Sequence, residues 1–394
     1  MRVERIRLKN FKALQNVTLD GVQPFTVIVG ANGVGKSTLF DVFGFLRDCL
    51  KENVRPALAK RGGFKEVVSR GHENESILIE LKIRMQLKIG WRTVTYSIEI
   101  GQNGSLPIVQ NEVLRYTRFG GGKPYEFIRF RNGSGSAIKN ESEIHSDEEY
   151  EDREEQQLDS PDILAIKGLG QFQRFEAASA FRNLIENWHV SDFHISAART
   201  SQDAGHAEHL SPQGENLPLV AQFLYENHRE KFDEILLAME RRVPGVTGVQ
   251  ATQTDDGRII LKFKDGTFKD PFIARYVSDG TIKMFAYLVL LNDPAPHQLL
   301  CVEEPENQLY PSLLGELAEE FYDYARAGGQ VFVSTHSPDF LNSVPIESIF
   351  VFKKDSGTTT VSRAVDDELI RSMIAAGDKP GWLWREGAFQ GAHP

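Results

Sequence analysis

One stretch near the start of the chain limits the folds open to it more than any other: Phe25-Thr-Val-Ile-Val29, then Gly30-Ala-Asn-Gly-Val-Gly35-Lys36-Ser37. The apolar run reads as a buried strand. Leu39, Val42, Phe43, Leu46 and Leu50 recur beyond the loop at helical spacing, so the segment is strand, loop, helix. In that context the pattern G-x-x-x-x-G-K-[ST] is a phosphate loop. The backbone of Gly30, Ala31, Asn32, Gly33, Val34 and Gly35 is expected to turn its N–H groups onto phosphate oxygens, with Lys36 reaching the outer phosphates. Ser37 is the expected Mg²⁺ ligand, and Thr38 belongs to the same binding set. The implied cofactors are ATP and Mg²⁺.

A second apolar run, Leu299-Leu-Cys-Val302, ends in Glu303-Glu304-Pro305-Glu306-Asn307. This is the form of a Walker B strand, a buried parallel strand that delivers carboxylates at its tip. Glu303 is expected to hold the Mg²⁺ shell, and Glu304 to orient and deprotonate the attacking water. Glu303 stands where Asp is usual, one methylene longer. Before it, Tyr276-Val-Ser278-Asp279-Gly280-Thr281 leads into the helical stripe Ile282, Phe285, Ala286, Val289 and Leu290. Ser278 would cap that helix, and with Gly280 beside it the free N–H groups make an anion site suited to a γ-phosphate. Last comes Gln330-Val-Phe-Val333-Ser-Thr-His336-Ser-Pro338, an apolar strand whose end delivers His336 to polarise the γ-phosphate or sense its loss. Each of the last three features has a plainer structural reading, and their order along the chain favours the chemical one.

The 394 residues, 41% of them hydrophobic, suffice for one large domain or two ordinary ones. No apolar run approaches the roughly 18 residues a membrane span needs, and a charged start argues against a secretory leader, so a cytoplasmic protein with no membrane partner is expected. Cys49 and Cys301 lie in apolar stretches without metal-site spacing. The net charge of −10 is concentrated between Glu141 and Glu155, where nine residues are acidic and one basic, leaving the remainder close to neutral. Residues 132–157 turn Gly/Ser-rich and then acidic, which predicts a mobile loop. Ile77 to Ile89 and Val94 to Ile100 alternate as a hairpin with one wet face. Helical stripes follow at Leu217 to Leu224 and Phe232 to Val243, and no heptad repeat lies between Lys36 and Ser278. Nuclease chemistry at His194, His206 or His209 is disfavoured. His206-x-x-His209 would need helical geometry and a third ligand that the sequence does not name, so these histidines read as polar surface.

With its motifs in this order the chain resembles the ABC-type ATPases of the SMC, RecF and OLD group, in particular single-chain bacterial ATPases carrying Ser-Asp-Gly-Thr, Glu-Glu-Pro-Glu-Asn and Thr-His-Ser-Pro. Met1 to Thr38 looks like the start of those heads, and Tyr276 to Leu341 like their signature, Walker B, D-loop and H-switch; Gly214-Glu-Asn-Leu217 and Leu383-Trp-Arg-Glu-Gly387 are also similar. The resemblance implies an α/β head with a mixed and parallel sheet and flanking helices. Its halves would be residues 1–75 and 245–394, with an inserted β-hairpin and helical region at 76–244 that includes the loop 132–157. It further implies ATP hydrolysis by two heads meeting face to face, so that Ser278 of one copy completes the site of the other. The expected partners are a second copy, in a homodimer or a higher oligomer built from it, nucleic acid met in DNA repair or anti-phage defence, and a separately encoded effector. The alternatives are a regulatory ATPase of a toxin or nuclease effector that does not touch DNA, and, further off, a transporter subunit. Tyr310 departs from the His of many relatives, and no glutamine is assignable to the Q-loop. Without heptads, long SMC arms are excluded, and too few residues follow Pro338 for a Toprim nuclease.

Overall fold

A computed structural model of the protein describes residues 1–117, 124–139, 152–355 and 357–389. Its centre is a six-stranded sheet in the order Trp188–Ser191, Leu299–Glu303, Val331–Ser334, Phe25–Val29, Ile349–Asp355 and Thr358–Arg363. The first five strands run parallel and the last is antiparallel. Strands buried on both faces read as unbroken apolar runs rather than alternating ones, which is how Phe25–Val29 and Leu299–Val302 look in sequence. Successive residues then serve two different cores. Ile28, Leu299, Cys301 and Phe332 face the core built on the helix Lys36–Lys51; Val27, Val29, Leu300, Val302, Val331 and Val333 face the core of the helices Leu217–Asn227, Asp279–Leu291 and Pro311–Arg326.

The first core is closed by an eight-stranded antiparallel sheet. Arg2–Phe11 pairs with Leu14–Asp20 on one side and with Ile77–Leu87 on the other, so the sheet runs without a break from the N-terminal strands into the region beyond residue 76. The hairpin read from alternation forms over Ile77–Leu87 and Gly90–Asn103, with Ile77, Ile79, Leu81, Ile83, Met85 and Leu87 all buried. The helix after the phosphate loop is apolar on more of its circumference than the sequence stripe indicates, because Phe40, Phe45 and Cys49 are buried as well.

The expectation of a mobile loop over 132–157 is corrected at both of its ends. Ser134–Ile138 and Arg153–Gln157 pair as the last two strands of the large sheet, with Ala137 and Ile138 buried and Glu154 in an ion pair with Arg174. Main-chain ladder bonds and a two-residue apolar anchor order these segments despite their polar composition. The acidic stretch between them, 140–151, lies outside the described residues.

Two buried polar side chains bind separate parts of the fold together. Gln330, at the start of the His336 strand, accepts from Val3 N–H (2.8 Å) and donates to the carbonyl oxygens of Val3 (2.9 Å) and Gln23 (3.2 Å). Glu112, fully buried in the large sheet, accepts from the Tyr96 hydroxyl (2.9 Å) and from the backbone N–H groups of Ala165 and Ile166. Burial outweighs these bonds and raises its pKa from 4.5 to about 7. The folded chain therefore holds a proton that the unfolded chain has released between those values, and stability falls as pH rises through that window. We expect the wild type to lose on the order of 3 kcal/mol relative to Glu112→Gln as pH rises from 4.5 through 7, the difference levelling off once the folded chain has also released the proton, measured as paired denaturation curves. A constant difference across that range would mean that Glu112 keeps the same charge in both states.

Candidate functional site

Parallel pairing aligns the strand ends that carry the motifs. Glu303 is level with Ser334, and Ser334 with Ile28, so the phosphate loop, the acidic pair and His336 emerge along one edge of the sheet. Gly33 and Gly35 have positive φ (76° and 100°), which turns the loop over the start of Lys36–Lys51. A methyl on Gly35 would lie 2.8 Å from Leu14 Cδ2, whereas one on Gly33 would meet nothing within 4 Å. The loop is thus packed at its base and open at its rim. Thr359, on the antiparallel edge strand, fastens it by donating its hydroxyl to the Val34 carbonyl oxygen at 2.9 Å.

Lys36 Nζ lies inside this loop, donating to the carbonyl oxygens of Gly30 (2.8 Å) and Ala31 (3.0 Å). Burial lowers its pKa, opposed by Glu304, Glu306 and Glu303. The Ser37 hydroxyl bonds the Glu303 carboxylate, whose pKa is raised by burial. The longer side chain at Glu303 therefore still reaches the serine. A hydroxyl and a carboxylate together at the loop mouth form an oxygen donor set that fits a hard divalent cation such as Mg²⁺, and the open rim fits a triphosphate. The cleft beside them, about 480 Å³, is lined by Ser37, Thr38, Asp41, Gln213 and Glu303 among others.

Glu304 takes a positive φ of 42°, uncommon away from glycine, directly after the strand. Its N–H donates to Ser334 O (2.9 Å), its Oε2 accepts from Asn307 Nδ2 (2.9 Å), and its Oε1 lies 3.4 Å from His336 Nε2. His336 is half-buried, and burial together with the Lys36 charge lowers its pKa, so it is held neutral. Expected from sequence separately, Lys36, Ser37, Glu303, Glu304 and His336 are brought together here.

Ser278 is the cap that the sequence indicates: its Oγ accepts from Thr281 N–H (3.3 Å) at the start of Asp279–Leu291. It does not line the cleft of Ser37 and Glu303. Ser278, Asp279, Gly280, Gln308 and Tyr310 line a different cavity of about 740 Å³, and no residue lines both. Tyr310, 74% exposed, caps the helix Pro311–Arg326 at its rim.

Sequence reasoning passed over several residues that hold this arrangement. Glu306 accepts from the Thr335 hydroxyl (2.9 Å) and the His336 N–H (2.6 Å), fixing the histidine's turn. Lys283 is buried, donates to Asn307 O (2.8 Å), and has its pKa pushed down to about 8 by burial. Arg199 grips the signature helix through Val277 O and Asp279 (2.6 Å). Glu306 was visible in its motif without an assignable role. Lys283 was masked by an apolar stripe, and Arg199 and Gln213 sit in loops whose partners are distant in sequence. His206 pairs with Glu208 (3.0 Å) and His209 with Asp293 (2.8 Å), so the two histidines do not face each other.

Fold and site together define a phosphate-loop ATPase head. Residues 111–342, more than half of the chain, match the family model described as "AAA domain, putative AbiEii toxin, Type IV TA system", and residues 5–186 match one described as "AAA domain". The chain belongs to the first of these families. A solved structure described as "Crystal structure of the SmcHead bound to the C-winged helix domain of ScpA" superposes with a TM-score of 0.56 at 14% identity, covering 92% of this chain and 97% of that one. The fold is accordingly that of an SMC-type head. Another, "SMC head domain from Thermotoga maritima", gives 0.45 at 13% identity over 92% and 99%. No curated protein matches the chain. No helix among the described residues is long and apolar enough to cross a membrane.

Gly35→Ala should weaken nucleotide binding by about 10- to 100-fold, because the methyl meets Leu14 and the residue must keep a φ of 100°. Gly33→Ser, placed over open space, should cost less despite its similar φ. Titration with a fluorescent ATP analogue ranks the two. Equal losses would mean that backbone conformation, not packing at the base, sets the loop.

Proposed function

We propose that this chain hydrolyses ATP in sites shared between two copies, and that ATP-dependent pairing couples to nucleic acid in repair or anti-phage defence. The observation that carries the reading is that Ser278 and Gly280 line one cleft while Ser37, Thr38 and Glu303 line another, with no common residue. In this reading the capped N-terminus at Ser278 meets the phosphate held by a second head related by a two-fold axis.

In this reading the backbone of Gly30 to Gly35 and the Lys36 ammonium cradle the phosphates, with Thr38 beside them. Ser37 and Glu303 hold Mg²⁺, which neutralises the charge on the β and γ oxygens when bound. Glu304, steadied by Asn307, takes the proton from water as its oxygen attacks the γ-phosphorus and the bond to the β-bridging oxygen breaks. His336 donates toward the γ-phosphate, and Ser278 and Gly280 of the second copy close over it. Gln213, lining the same cleft as Ser37 and Glu303, is the residue we assign to the Q-loop role.

A regulatory ATPase working with a toxin or nuclease effector is the second reading. The net charge of −10 and the toxin named in the family's printed description favour it. Salt-dependent DNA binding by the purified chain separates the two, since electrostatic contact with phosphates weakens steeply with salt.

Lys36→Ala should abolish nucleotide binding, while Glu304→Gln should keep binding and lose turnover by about 10²- to 10⁴-fold. Ser278→Arg should also stop hydrolysis, yet leave binding to the loop nearly intact. Mixing Ser278→Arg with Lys36→Ala regenerates one shared site per heterodimer, and a partial return of phosphate release is the expected result. Heterodimers that form and stay inactive would sink the shared site.

A further inference from the structure

We infer that the chain binds a divalent transition metal of the zinc class through His209, Asp293 and His297. Asp293 and His297 lie in the connection between the helix Asp279–Leu291 and the strand Leu299–Glu303, at the strand's start and thus on the opposite edge of the sheet from Glu303. His209 lies in the loop ahead of the helix Leu217–Asn227. Each of the three offers one ligand atom, and these atoms all lie within 4.8 Å of one another.

The chemistry of the three groups points to a metal rather than to a plain hydrogen-bonded cluster. His297 Nδ1 lies 3.2 Å from the Asn187 carbonyl oxygen. A carbonyl only accepts, so Nδ1 carries the proton and Nε2 keeps its lone pair. That Nε2 is buried and has no hydrogen-bond partner. A carbonyl that orients one ring nitrogen and leaves the other bare is how metal-binding imidazoles are commonly held. Asp293 is almost wholly buried; one carboxylate oxygen accepts from Ala295 N–H (2.9 Å) and the other faces His209 Nδ1 at 2.8 Å. The ring of His189 lies 4.8 Å from that of His297 between centroids, and the ring of His209 lies 5.4 Å from it.

Two imidazole nitrogens and one carboxylate oxygen suit zinc better than Mg²⁺ or Ca²⁺, which prefer oxygen alone, and a water completes four-coordination. Zinc bonds of about 2.0–2.2 Å require neighbouring ligand atoms about 3.3 Å apart. The three atoms, within 4.8 Å of one another, therefore have to adjust to reach that spacing, and His209 is half-exposed on its loop. Binding would fix the loop only four residues before Gln213, which lines the nucleotide cleft, to the C-terminal end of the helix that Ser278 caps. The metal site itself does not depend on the shared ATPase site.

The test is uptake of zinc by the full chain, stripped with chelator and held in millimolar Mg²⁺ so that the phosphate loop does not compete. We expect one zinc per chain by elemental analysis, and with cobalt(II) in its place the visible ligand-field bands of a tetrahedral nitrogen and oxygen site. His209→Ala should weaken zinc binding at least about tenfold, and His209→Ala with His297→Gln should abolish both the uptake and the cobalt bands. His206→Ala, which breaks only a surface pair with Glu208, should change neither. Circular dichroism checks that the variants fold, and if the double variant does not, His209→Ala alone carries the test because its side chain is half-exposed. No uptake at micromolar zinc, or uptake by His209→Ala equal to wild type, overturns the proposal.

Discussion

The main-chain ladder joining Phe25–Val29, Val331–Ser334 and Leu299–Glu303 is the interaction on which the rest of the molecule depends. Its hydrogen bonds set three strand ends at one height, although Phe25–Val29 lies some three hundred positions from the other two in the chain. Side chains then need to reach only a few ångströms to meet. A shift of one residue in either pairing would turn the apolar residues of the strand to the wrong core and move Glu303 away from Ser37. The register is therefore held by burial on both faces, and the site inherits its precision from the two cores.

Around that edge the side chains form a chain of contacts. Glu306 fixes the turn of His336, His336 lies against Glu304, Asn307 steadies Glu304, and Lys283 holds the Asn307 carbonyl. Every link but the imidazole contact ends on a backbone or amide group, so the carboxylate most exposed to change, Glu304, is the one whose surroundings are most rigid. Its left-handed backbone is tolerable for the same reason, since neighbours on both sides over-determine it.

Much of this was legible in the sequence where a local rule applies. The phosphate loop, the acidic strand end, the serine cap and the alternating hairpin all follow from spacing over a dozen residues or fewer, and each formed within a few residues of its expected place. What the sequence hid depends on distance. Gln213 reaches the cleft of Ser37 only through a loop that folds back, and Arg199 meets Asp279 across nearly eighty positions. Acidic composition around residue 150 spoke for disorder, yet Arg153–Gln157 found ladder partners, because pairing depends on backbone groups that composition does not describe. His209 read as surface because its companion Asp293 is equally remote in sequence.

Gln330 behaves as a peptide unit turned sideways: its amide takes and gives one bond each to Val3, as a neighbouring strand would. It thereby welds the first strand of the broad sheet to the root of the strand that ends at His336. Moving Arg2–Phe11 away from the start of Val331–Ser334 would have to break this pair of amide bonds first. A glutamate here would lose both donated bonds and a leucine all three, so the length and the amide of this one side chain are what tie the roots of these two strands together.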